Sequence, residues 1–150
     1  MKKFILFLFT LVIGFAVFCE FYVKADPAPT VVLQESAEIR TSGDYGLKFL
    51  ASIEGSFEDN TTHGFYLAIG RHTKDEMVDA IVANTGQING HKLLRKATNG
   101  SDKDFAVTII EMPEANVVTE ITAIAFLVVD ETNVYSDITV SKNIDRKSVV

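Results

Sequence analysis

With three histidines, one cysteine and no tryptophan, this chain has few side chains that could do chemistry. His63, His72 and His91 are widely spaced, with no His-x-x-x-His pair and no second cysteine. A zinc site needs three or four nitrogen or sulfur ligands converging in space. The spacing therefore predicts no transition-metal centre, and the histidines read as surface or strand-end residues. Ser136-Asp137 sets a hydroxyl beside a carboxylate, but successive side chains of a strand face opposite ways. No Gly-x-Ser-x-Gly elbow presents a nucleophile. The acidic pairs Glu58-Asp59, Asp75-Glu76 and Asp130-Glu131 have the groups a glycosidase uses. Each falls in a predicted loop or at a helix start, where carboxylates cap, turn and solvate. No glycine-rich phosphate loop follows a strand. The expectation is a non-enzymatic chain without a cofactor; a small secreted hydrolase with carboxylates gathered by the fold is the alternative.

Binding chemistry is better represented. Glu58, Asp59 and Asn60 carry hard oxygen ligands suited to calcium, as does the stretch Asp130-Glu131-Thr132-Asn133. Sugar sites stack rings on exposed aromatic faces, and Tyr45, Tyr66 and Tyr135 are the candidates. Tyr66 and Tyr135 are expected to point outward, opposite Phe65/Leu67 and Val134; the competing reading is an ordinary strand tyrosine with a packed ring and a wet hydroxyl. Asn60-Thr61-Thr62 and Asn99-Gly100-Ser101 match a glycosylation sequon and read as turn sequences. The formal net charge is −6, which disfavours a nucleic-acid or anionic-membrane ligand.

The elements that must position these residues are mostly strands. Strands are predicted over 37–40, 47–53, 64–70, 105–110, 121–129 and 134–140, after a spacer and possible first edge strand over 26–36. Ile121 to Val129 is apolar on both faces, as a central strand covered on both sides must be. Asp130 to Asn133 reads as a four-residue hairpin loop. Thr73-Lys74-Asp75-Glu76 has the spacing of a capping box, so one helix is predicted over 74–84, with Asn84 and Gly86 ending it. Within 87–103, His91 to Ala97 is a possible strand and Thr98 to Ser101 a turn. About seven strands with frequent turns and one short crossover helix predict a mainly β, antiparallel, immunoglobulin-like β-sandwich over 37–150.

Ahead of that domain, Lys2 and Lys3 precede an apolar run from Phe4 to Cys19, and the stretch ends Val23-Lys24-Ala25. A charged start, an apolar middle and small residues at the end form a secretory signal, with the cut expected after Ala25. Left uncleaved, Phe4 to Val23 is just long enough to span a bilayer as an anchor. Lipidation at Cys19 is not expected, because Phe18 rather than a small residue precedes it. The leader holds three lysines and one glutamate, so residues 26–150 keep 11 basic and 19 acidic residues, a net charge of −8, and no cysteine. Packing and sheet hydrogen bonds must then provide all the stability. No wall-anchoring motif or second apolar span follows the domain, so a cleaved product is expected to be released or held only by binding.

One pattern extends over residues 37–144. It consists of Ala37-Glu38-Ile39-Arg40-Thr41, Gly46-Leu47-Lys48-Phe49 and His63-Gly64-Phe65, then Ile121-Thr122-Ala123-Ile124-Ala125-Phe126-Leu127-Val128-Val129-Asp130 and Val134-Tyr135-Ser136-Asp137. This order resembles an uncharacterised module of surface and secreted proteins from low-GC Gram-positive bacteria and mollicutes. That module opens "S-I-R-T … G-L-R-F", has a "Y-G-F" strand and ends in "I-T-A-R-A-Y-V … D-G … Y-S". Here Glu38, Ile124 and Phe126 depart from it. The resemblance implies a β-sandwich in a cell-surface setting and supplies no catalytic residue. The expected role is binding or structure at the bacterial surface, with a protein or glycan partner.

Overall fold

A computed structural model describes residues 26–40, 45–112 and 116–144. The leader with Cys19, residues 41–44 and 113–115, and the C-terminal 145–150 lie outside the described residues. Strand β3 (Gly46–Glu54) shows the predicted alternation, with Leu47, Phe49, Ala51 and Ile53 all buried. One side of β3 pairs with β8 (Asp104–Ile109). Its other side pairs with β1 (Thr30–Leu33) and β2 (Glu38–Arg40), laid end to end. Leu33 sits opposite Ala51 and Glu38 opposite Lys48, so four residues of the first edge cover the span of two on β3. Two extra residues bulge one edge strand into two segments.

The second sheet is built around β9 (Ile121–Val129). On one side β9 pairs with β4 (Thr61–Ile69), which pairs in turn with β7 (Leu94–Gly100). On the other side lie β10 (Thr132–Tyr135) and β11 (Val140–Lys142), again end to end. The prediction of one strand over 134–140 is corrected here, because residues 136–139 cover only Ala125 and Ile124. The buried Ser136 repairs that break. Its N–H donates to the Ala125 carbonyl (3.0 Å), its Oγ accepts from the Ala125 N–H (3.2 Å), and its hydroxyl donates to the Ile138 carbonyl (2.8 Å).

Counting each bulged edge once, three antiparallel strand positions face four. In immunoglobulin lettering the order is ABE against C′CFG, the constant-type arrangement with its fourth strand moved across to the other sheet. Two turn expectations change. Thr132 pairs directly with Val129, so the hairpin loop is the two residues Asp130 and Glu131, with φ of 48° and 63°. Positive φ at both central residues is the type I′ turn, whose twist matches that of the flanking strands. Thr98 to Gly100 belong to β7 rather than to a turn, because β4 continues to Thr61 and supplies their partners.

Both faces of β9 are covered, as its composition requires. Ile121, Ala123, Ala125 and Leu127 join the inter-sheet core with Phe65, Leu67, Phe49 and Leu33. Large meets small across the strands, with Phe65 opposite Ala125 and Leu67 opposite Ala123. Ile124 points the other way, into a second cluster with Ala68, Met77 and Ile88. Met77 comes from the helix α1 (Lys74–Val82), and Ile88 from a small hairpin of β5 (Gln87–Ile88) and β6 (His91–Lys92). The capping box forms as predicted. The helix stops earlier than residue 84, because Ala83 caps it and Asn84 turns left-handed at φ 51°. Among the described residues no helix is long and apolar enough to cross a membrane.

This packing sets a clear contrast. Phe49→Ala, at 1 % exposure, is expected to lower unfolding free energy by about 3–5 kcal/mol. Val82→Ala, at 73 % exposure on the helix, is expected to change it by less than about 0.5 kcal/mol. Urea denaturation of both variants checks the pair.

Candidate functional site

The outer face of the four-stranded sheet brings two of the three candidate tyrosines together. Tyr66 on β4 lies opposite Arg95 on one side and Ile124 on the other. One step along, Gly64 lies between Ala97 and Phe126, and Phe126 is opposite Tyr135. Residues directly opposite share a face, so Tyr66, Arg95, Phe126 and Tyr135 form one patch. The Tyr66 and Phe126 rings are 5.0 Å apart at 49°, and the Arg95 guanidinium carbon lies 4.8 Å from the Phe126 centroid. Phe126 is fully buried although it faces away from the main core, while Tyr66 and Tyr135 stay half-buried and Arg95 exposed. Gly64 lets β4 and β7 approach closely here: a Cβ there would come within 2.0 Å of the Lys96 carbonyl oxygen.

The patch is electrostatically coupled. Burial pushes the Tyr135 phenol above its ordinary range; Asn133 pulls it down, Tyr66 pushes it further up, and Arg95 draws it down. Asn133 lies two residues from Tyr135 on the same face of the hairpin, opposite Val128. Among the described residues no carboxylate pairs with Arg95. Partly exposed rings, phenols, an amide and a cation can hold a ligand.

The remaining predicted residues lie elsewhere. Tyr45 precedes β3 in the three-stranded sheet and is 39 % exposed, apart from the other two tyrosines. Glu58, Asp59 and Asn60 form the exposed turn into β4, with Asn60 left-handed at φ 69° and the Thr61 hydroxyl donating to the Glu58 carbonyl. Glu58 and Asp130 line one cleft with Phe57 and Val129, so the two oxygen-rich loops share one end of the sandwich. Among the described residues no three His, Cys, Asp or Glu side chains converge as metal ligands.

Two histidines are more buried than their spacing suggested. His63 is 1 % exposed, its ring 4.7 Å from Phe105 and its Nδ1 3.0 Å from the Thr61 carbonyl. His72 is 6 % exposed and lines a polar cleft with Arg71, Thr73, Glu76, Thr139 and Ser141. That cleft has the composition a hydrolase would use, but its groups are committed to structure. The His72 N–H donates to Thr122 Oγ1 (3.2 Å), whose hydroxyl donates to the Gly70 carbonyl (2.6 Å). Thr139 donates to the His72 carbonyl (2.9 Å), and the His72 Nε2 lies 2.9 Å from the Ile69 carbonyl. With Nε2 carrying the proton, Nδ1 is bare, buried and without a partner. Among the described residues no hydroxyl is hydrogen-bonded to the ring.

Arg95 and Phe126 are the site residues that sequence reasoning missed. Phe126 reads as one more apolar residue of a central strand. Arg95 falls in 87–103, where nothing in composition sets which face it takes; only the register with Tyr66 does. Comparison with protein-family models finds no match, and comparison with curated protein sequences finds none.

Two carboxylates, Glu76 in the cleft and Glu120 paired with Arg71, give a pH signature. The Thr73 backbone N–H (2.8 Å), followed by its hydroxyl, holds the Glu76 carboxyl below its ordinary range. The Arg71 side chain does the same for Glu120 through a two-point pair at 2.7 and 3.2 Å. A carboxyl lowered in the folded state stabilises above its ordinary pKa, and that contribution is lost as pH falls through the lowered one. Glu76→Ala is therefore expected to be less stable than the native protein at neutral pH, with the gap closing in acid. Thermal melts across pH check this; a gap independent of pH contradicts a role for the Glu76 charge.

Proposed function

We propose that this protein is a non-enzymatic binding module, secreted or held at the bacterial cell surface, that takes a glycan on the outer face of its four-stranded sheet. One observation carries the reading: Tyr66 and Tyr135, far apart in sequence, flank one buried Phe126 and both stay partly exposed on the same sheet face. A sugar ring stacks on an aromatic face while its hydroxyls pair with phenol, amide and guanidinium groups. The charged and apolar N-terminal stretch supports export. The module resemblance supports a surface setting. The structural commitment of His72, Glu76 and Ser136 supports binding over turnover.

Retention on a glycan array tests the proposal. Tyr66→Ala and Tyr135→Ala are each expected to weaken the bound signal by about tenfold or more, while Tyr45→Ala leaves it unchanged. Native-level binding by both variants contradicts the site. Glycan turnover that His72→Ala abolishes would favour the hydrolase. Intact mass in a Gram-positive host separates the two surface states, since release predicts a product beginning at Asp26 and an anchor predicts full length in the membrane fraction.

A further inference from the structure

We infer that the ligand of this face is an acidic glycan, its sugar carboxylate received by Arg95. The inference rests on the glycan-binding reading above and adds the charge of the sugar. Arg71 is held by Glu120, and Arg40 has interactions of its own. Arg95 is exposed on an acidic protein yet has no carboxylate partner among the described residues. Its position is fixed by the contact with Phe126 at 4.8 Å, and its β-sheet register puts it directly beside Tyr66. A guanidinium carries five N–H donors in a planar fork that matches a carboxylate at two points. The fully buried Phe126 beneath it reduces solvent screening on that side.

The surroundings select a singly charged sugar. Lys96, the next cation along β7, is opposite Phe65 and so belongs to the inner face. Of the two β7 cations only Arg95 is on the face of the patch, and a single guanidinium suits a carboxylate better than the near-double charge of a phosphomonoester. The Tyr66 and Tyr135 phenols and the Asn133 amide are placed to receive the ring hydroxyls of the same sugar. Because the protein as a whole is acidic, general attraction does not bring in anionic polymers; the recognition is local.

The test is an array of uronate- and sialate-terminated glycans, each beside its carboxyl methyl ester, with phosphorylated glycans and poly-glutamate as further spots. Native protein is expected to retain the acids about tenfold or more over their esters, the value of a charge-assisted hydrogen bond. Arg95→Met keeps the apolar stem over Phe126 and is expected to bring the acids down to the level of the esters. Arg95→Lys keeps the charge without the fork and is expected to fall between them. Esters bound as well as acids, or an acid preference that survives Arg95→Met, overturns the inference. The glycan reading then stands or falls on the tyrosine variants alone. Equal retention of phosphorylated glycans or of poly-glutamate also overturns it, because the site would then read an anion rather than a carboxylated sugar. Retention of no glycan at all removes both readings.

Discussion

Burial of β9 on both faces is the constraint on which the rest of the structure depends. Its inner residues Ala123 and Ala125 are small because Phe65 and Leu67 fill the space beside them. Its outer residues Ile124 and Phe126 are large because the helix covers one and the tyrosine–arginine patch covers the other. A one-residue slip would exchange these two sets, pushing a phenylalanine into an alanine-sized space. Core register and surface patch are therefore one decision, made by the alternation of a single strand.

The edges follow from the same economy of means. A chain whose described region has no disulfide must protect its open strands by other devices. The first and last edges each break at a two-residue bulge, and Ser136 supplies the hydrogen bonds that the last break would lose. On β7 the charged Lys96 lies on the inner side of an exposed edge, a placement that discourages another strand from adding there. The buried hydroxyls of Thr122 and Ser136 and the buried His72 all hold connections between elements. Polar groups that look like chemistry in a sequence are here satisfying backbone groups that the bends leave open.

Much of this was legible in the residues, and for physical reasons. Alternation marked β3, two-faced apolarity marked β9, and Thr73 with Glu76 marked the helix start, since each depends on near neighbours. The breaks at 34–37 and 136–139 were not legible, because a bulge is defined by a partner strand distant in sequence. The two-residue turn at Asp130-Glu131 was missed for want of the usual glycine. Tyr66 and Tyr135 could be named singly, but their meeting over Phe126 required the pairing of β4, β9 and β10. Arg95 required β7 as well, whose exposed and mostly polar sequence lacks a pattern that sets its phase.

Function, on this account, is a property of the face that β9 builds outward. Amide chemical-shift mapping of the labelled protein, titrated with an acidic oligosaccharide that the array selects, tests that claim most directly. The account predicts saturable shifts at Tyr66, Arg95, Phe126, Asn133 and Tyr135, with the His72 cleft silent. Shifts confined to the cleft of Arg71, His72 and Glu76, or to the loops at Glu58 and Asp130, would contradict it.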